Sequence, residues 1–190
     1  MTIWFTSDQH YGHANILNLC PDRPWNSVEE MNETLIKNYQ AVVRPSDQVF
    51  FLGDFAFKSL AAKILPRLPG NKTLIIGNHD WDKPGRMSER RRDELLEAGF
   101  SKIVDTYLLR VRDGISQGKH QWIWLAHYAQ RTWPKKWSGG WHLFGHSHGR
   151  MPDDSLSTDV GVDCWDYKPV SYEQLRKHFK GRKNIPNELD

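Results

Sequence analysis

The stretch Trp141-His142-Leu143-Phe144-Gly145-His146-Ser147-His148-Gly149 joins an apolar run to two histidines set one residue apart between glycines. The run reads as a buried strand, so the histidines stand at its end. Residues i and i+2 of a strand share a face, and a Gly-flanked turn also lets two rings converge on one point. Neutral imidazole is the commonest metal ligand type. An exposed polar loop is the alternative, and the rest of the chain decides between them.

The same arrangement recurs upstream. Ile3 to Thr6 reads as a buried strand and ends at Asp8 and His10. Val49 to Leu52 ends at Gly53-Asp54, and Thr73 to Ile76 ends at Gly77-Asn78-His79-Asp80. Ile103 to Val111 and Gln121 to Ala126 read as strands about a Gly-containing turn, and the second ends at His127. Between strands lie helical patterns. Ser27 opens one as a capping box, with Val28, Met31, Leu35, Tyr39 and Val42 at helical spacing up to Arg44-Pro45. Ser59 to Leu65 reads as a helix stopped by Pro66, and Ser88 to Ala98 as one closed by Gly99. Thr158 to Asp163 reads as a strand. Ser171 caps a last helix to about His178, ahead of a polar tail from about Lys180. No repeat or linker interrupts the 190 residues, and the expectation is one α/β domain over 1–190.

Taken singly, each polar cluster is also an ordinary turn or cap. Together, each at the end of a buried strand, they converge on one edge of a sheet, where open α/β sheets place their sites. The donors are imidazoles, carboxylates and an amide oxygen, with no thiolate. This mixture suits first-row divalent ions better than Ca²⁺. Seven donors exceed one tetrahedral site and suffice for two ions sharing a carboxylate, the arrangement found in phosphatases and nucleases. Manganese is expected first, with Fe, Ni, Co, Zn or Mg as the other candidates.

The set Asp8-x-His10, Gly53-Asp54, Gly77-Asn78-His79-Asp80, His127 and Gly145-His146-x-His148 resembles the motifs of the calcineurin-like metallophosphoesterases, in particular small bacterial and phage-type members. The resemblance implies a four-layer α-β-β-α sandwich of two mixed sheets flanked by helices. It implies that Asp8, His10 and His148 hold one metal, that Asn78, His127 and His146 hold a second, and that Asp54 bridges them. A hydroxide between the metals would attack phosphorus in line. His79 would stabilise the transition state or protonate the leaving group, so the catalytic set is Asp54, Asn78 and His79. Asp80 orients His79 or caps the next segment. Phe55-Ala56-Phe57 gives Asp54 no adjacent polar partner.

Arg131 to His142 carries three tryptophans and three cations between two ligand clusters. Arg131 could clamp phosphate there and Trp133 could stack a base or sugar. The alternative is a loop whose rings pack on the core. His13 and Asn15 would line the pocket, while His120 and His178 read as solvated and Cys164 as core. The expected substrate is a phosphate ester, a phosphodiester or nucleotide-like one. A nuclease acting on nucleic acid and a non-catalytic, metal-dependent interaction module remain as alternatives. The net charge of +3 is compatible with an anionic substrate and too weak to indicate nucleic acid. Two cysteines outside any CxxC spacing, no signal peptide and no apolar run of roughly 20 residues suggest a soluble, cytoplasmic protein. Oligomeric state is left open.

Overall fold

The structure, a computed structural model, describes residues 1–113 and 120–184, with only the backbone at Lys58. Its first sheet has the order β4-β3-β2-β1-β9. Here β1 is Ile3–Thr6, β2 Gln48–Phe51, β3 Asn71–Ile75, β4 Lys102–Val104 and β9 Val170–Ser171. The first four strands run parallel, and β9 is antiparallel to β1. The second sheet has the order β5-β6-β7-β8, from Thr106–Val111, Gln121–Ala126, Trp141–Phe144 and Ser157–Asp159. There β5 is antiparallel to β6, while β6, β7 and β8 run parallel. Both sheets are therefore mixed.

Strand periodicity divides the side chains of β2 and its exit between two cores. Val49 and Phe51 face a layer built by α2 (Val28–Val42), α3 (Ala61–Ile64) and α4 (Glu89–Ala98). Phe50 and Leu52 face the second sheet and meet Ile123, Leu125 and Leu143 there. The runs of apolar residues in these strands follow from burial on both faces. A short helix, α1 (Ile16–Leu19), precedes α2. The last helix, α5 (Tyr172–His178), carries a complete Ser171/Gln174 capping box and puts Tyr172 and Leu175 into the inter-sheet core. On the other face of β7, His142 is covered by Trp133 from the 128–140 loop.

Four expectations need correction. Ile103 to Val111 is two strands in different sheets: the chain leaves β4 and enters β5 across Asp105, the crossing between the two layers. Continuous apolar character hid this break. The helix expected over Ser59 to Leu65 is α-helical only over Ala61–Ile64; the α-helix does end ahead of Pro66, and the chain continues in a 3₁₀ turn, Leu65–Arg67. The strand expected over Thr158 to Asp163 stops at Asp159 and gives way to a 3₁₀ turn, Val162–Cys164. Cys164 is exposed on that turn, not in the core. The glycine-containing turn after Val111 and the end of the polar tail lie outside the described residues.

Three of the parallel strands of the first sheet, β1, β2 and β3, and both β6 and β7 of the second, run toward the same edge. Asp8 N–H bonds Gly53 O at 3.1 Å, Gly145 N–H bonds His127 O at 2.9 Å and Val162 N–H bonds Ser7 O at 3.0 Å. These bonds stitch the strand exits of the two sheets into one rim.

Candidate metal centre

Asp8, His10 and His148 present donor atoms within 4.8 Å of one another, as do Asp54, His127 and His146. Asp54 stands between the two groups. Its Oδ2 is 3.6 Å from His10 Nε2 and its Oδ1 is 3.5 Å from His127 Nε2. Asn78 joins the second group, with Oδ1 3.1 Å from His127 Nε2. The seven residues read from the strand ends are thus brought together.

Hydrogen bonds fix which nitrogens point inward. A carbonyl can only accept, so His127 Nδ1–H donates to Leu52 O at 2.7 Å. The lone pair of Nε2 then faces Asn78 Oδ1 and Asp54 Oδ1, which are acceptors too. His148 Nδ1 sits 2.8 Å from Asp163 Oδ2, which likewise turns its Nε2 lone pair outward. His10 Nε2 and Asp8 Oδ1 are buried without a partner. Acceptors facing acceptors across a buried space are costly unless a cation lies between them. Ionisation points the same way. Burial, then the neighbouring charges of Asp54 and Asp159, push the Asp8 carboxyl well above its ordinary range. Burial, then His148, push His10 down to about 2. Both shifts are the penalty for charge in a dry site; a divalent cation would offset it for the Asp8 carboxylate and would use the lone pair that the neutral His10 ring keeps. The residues present therefore fit a divalent-metal centre.

The backbone is bent to serve it. Asp8 (φ 60°), His10 (φ 51°), Asp54 (φ 55°), His146 (φ 66°) and His148 (φ 49°) all adopt left-handed conformations. Non-glycine residues do so rarely, and such strain collects at functional sites. Gly149 turns as well, with φ 75°, so the glycine and the histidines share the turning. Gly145 supplies space instead: a Cβ there would lie 2.0 Å from Ser7 Oγ and 2.6 Å from Asp8 Oδ2. Gly77 is likewise filled, with a Cβ 2.3 Å from Asp54 Oδ1.

Several supporting residues were not read from the sequence. Asp80 accepts from the N–H groups of Asp54 (2.9 Å), Phe55 (3.1 Å) and Gly77 (2.8 Å). Its carboxylate is spent on these bonds, so it neither orients His79 nor caps the next segment; it supplies the partner that Phe55 and Ala56 do not. Asp159 accepts from Ser147 Oγ at 2.5 Å and Gly149 N at 3.1 Å, which pins the histidine turn. Asp163 accepts both His148 Nδ1–H and a bidentate Arg23, whose Nε and Nη2 lie 2.7 and 2.8 Å away. Arg23 also donates to Asp8 O at 2.7 Å. Burial pushes Asp163 up, but these bonds outweigh it and hold its carboxyl at about 2. Tyr128 O–H donates to Asn78 Oδ1 at 3.1 Å. Only Asp80 had a sequence signal, its place beside the Asn78-His79 pair.

His79 is exposed at the mouth of the centre. Its backbone N–H donates to Asp54 Oδ1 at 2.9 Å, and its ring lies 5.0 Å from that of His10. His13 completes a cluster with His10 and His79, its ring stacked on Phe57 at 5.3 Å. Asn15 is exposed and accepts from Asn18. Trp133 is a correction. Its ring is 5% exposed, its N–H donates to Gly140 O at 2.9 Å, and Lys136 covers it at 4.8 Å. The loop's rings pack on the core at this position, so Trp133 offers no face to a substrate. Arg131 is exposed, and its carbonyl holds the buried Lys136 ammonium. His178, expected to be solvated, pairs with Asp153 at 2.7 Å.

The chain is similar to known proteins in sequence and in fold. The chain is 33% identical over 186 residues to the uncharacterized protein MJ1445 of Methanocaldococcus jannaschii, covering 92% of this chain and 89% of that one. It is 29% identical to the Gene 66 protein of Mycobacterium phage L5, covering 85% of this chain and 86% of the phage protein. A crystal structure of a protein of unknown function from Aquifex aeolicus, AQ665, shares the fold, with a TM-score of 0.65 at 24% identity over 93% of this chain and 98% of that one. Residues 1–167 match the model of the calcineurin-like phosphoesterases. The chain belongs to the calcineurin-like phosphoesterase family, whose general activity is metal-dependent hydrolysis of phosphate esters.

Proposed function

We propose that the protein hydrolyses a phosphodiester or nucleotide-like ester at a dinuclear centre, with residues 1–190 forming one domain. The observation that carries this reading is Asp54, whose two carboxylate oxygens each face a histidine of a different cluster at 3.5–3.6 Å. Asp8, His10 and His148 would hold one ion and Asn78, His127 and His146 the other, with Asp54 shared between them. When bound, two divalent ions, manganese first among the candidates, supply an activated water and neutralise the phosphoryl oxygens. The chain's own residues do the rest. Leu52 O and Asp163 hold the His127 and His148 rings in the tautomer that binds a cation. Asp80 fixes the Asp54 backbone, and His79 stands at the open side to protonate the departing oxygen. Retention of His79 beside a full donor set favours an enzyme over a non-catalytic module. The nucleic-acid alternative rested on the tryptophan-rich loop, and the burial of Trp133 removes part of that support.

The test is elemental analysis of metal-reconstituted protein together with Mn²⁺-dependent turnover of bis(p-nitrophenyl) phosphate. Two ions per chain and turnover are expected, with both reduced in Asp54→Ala. One ion per chain, unchanged in Asp54→Ala, would refute the dinuclear reading.

A further inference from the structure

A cleft of about 460 Å³ opens beside the metal centre, on the far side of His79 from the metal-facing donors. Its size suits a small organic group. Phe57, His79, Trp81, Asp82, Arg90 and Glu94 line it. Phe57 and Trp81 show 38% and 37% of their surface to solvent. Neither is an incidental surface ring. Phe57 lies three residues after Asp54 and is stacked on His13, while Trp81 directly succeeds the 3₁₀ turn Asn78–Asp80. The segments that deliver the bridging carboxylate and the proton donor thus carry the two rings with them.

The charges of the cleft are balanced, with Arg90 and Arg91 against Asp82 and Glu94. Arg90 Nη1 pairs with Glu94 at 2.7 Å and Arg90 Nη2 approaches Asp82 at 3.9 Å. Asp82 also accepts from Ser88 N–H and O–H. Such a wall offers donors and acceptors but no surplus positive charge, so it does not suit a polyphosphate tail or a further run of phosphodiesters. Two aromatic residues, each more than a third exposed, beside hydrogen-bonding groups suit a flat, uncharged heterocycle.

We propose that this cleft receives the leaving group, and that the leaving group is an uncharged, base-bearing alcohol of nucleoside type. The proposal rests on the phosphoesterase reading above and on the lining of the cleft by His79, the group placed to protonate the departing oxygen. In the step, water gives its oxygen to phosphorus, the P–O bond to the nucleoside breaks, and a proton reaches the departing oxygen through His79. One proton of the water is released or retained by the product phosphate according to pH.

The methyl ester of thymidine 5′-phosphate tests this, because either of two alcohols of similar acidity can leave. The native protein with Mn²⁺ is expected to release mainly thymidine and methyl phosphate, read by mass spectrometry. Trp81→Ala and Phe57→Ala should shift the partition toward methanol and thymidine 5′-phosphate by about ten- to hundredfold, the size that loss of a stacked ring carries. A partition is a ratio, so it does not depend on how much of a variant folds. Mainly methanol and thymidine 5′-phosphate from the native protein, or a partition unchanged in both variants, would overturn the proposal. So would turnover of bis(p-nitrophenyl) phosphate with no cleavage of the thymidine ester. Failure to cleave either ester with two metals bound would overturn the phosphoesterase reading itself.

Discussion

Asp163 makes the most demanding test of how the metal centre is held. Its carboxylate accepts three charge-assisted or polarised bonds: Arg23 Nε at 2.7 Å, Arg23 Nη2 at 2.8 Å and His148 Nδ1 at 2.8 Å. Asp163→Asn keeps the shape but offers one oxygen and one amide donor where three donors converge. At least one donor must then lose its partner. If His148 loses it, the ring is free to turn and its Nε2 no longer points reliably at the metal. Loss of such an outer partner typically lowers metal affinity about 10- to 100-fold, or roughly 1.4–2.8 kcal/mol. If Arg23 loses it, a guanidinium with 0% side-chain exposure is left unpaired, and removing one partner of a buried pair costs about 3–5 kcal/mol of stability. The Asp163 side chain is itself 12% exposed, so the lower part of that range applies. Calorimetric titration with Mn²⁺ reads the first effect, and urea unfolding of the metal-free protein reads the second. Both are expected. Weaker folding with unchanged affinity at both metal sites would refute the argument that Asp163 orients His148, leaving Asp163 only as the partner of Arg23.

His79→Ala should retain both metals by elemental analysis while turnover falls about 10²- to 10⁴-fold; loss of metal along with activity would make His79 a ligand instead. Trp133→Ala should lower stability by about 3–5 kcal/mol in urea unfolding and leave KM unchanged in the folded fraction, because the ring is 5% exposed and packed on His142. His142 is 0% exposed and neutral, donating to Trp124 O and accepting from Gln130 N–H. Burial pushes it from 6.5 to about 4, which corresponds to about 3 kcal/mol of stability present above pH 6.5 and lost as pH falls toward 4. His142→Gln keeps both bonds without titrating. The gap in unfolding free energy between native protein and variant should therefore narrow or reverse across that window, and a constant gap would show that His142 does not titrate there.

Much of the site was legible because the donors are few, chemically distinct and placed at strand ends. Strands buried on both faces announce themselves as apolar runs, and any polar residue just past such a run is held near the sheet edge. That logic found Asp8, His10, Asp54, Asn78, His127, His146 and His148. It failed where a residue's role depends on contacts distant in the chain. Arg23 lies 140 positions from Asp163, and nothing local marks either as a partner of the other. It failed again at Asp105, where the apolar pattern runs unbroken while the backbone changes sheets. Trp133 shows the third kind of failure. An aromatic in a basic loop reads the same whether its face is covered or open, and here Gly140 O and the Lys136 ammonium decide for covered.

The left-handed conformations of Asp8, His10, Asp54, His146 and His148 were the least legible feature, since sequence patterns place such angles at glycine. Each costs of order 1–3 kcal/mol when nothing compensates. Compensation comes from groups already on the rim. His10 N–H bonds Asp54 O at 3.0 Å, and Asp54 N–H bonds Asp80 at 2.9 Å. His146 N–H bonds Asp8 Oδ2 at 2.9 Å. The strained residues thus hold one another, so the angle at one ligand depends on the carboxylate of another. The donors therefore form a cooperative unit. Removing Asp8 should disturb the turn that carries His146, which belongs to the other metal group, and not only the group to which Asp8 itself belongs. The same coupling explains why two clusters, each drawing donors from both sheets, sit close enough for Asp54 to face both.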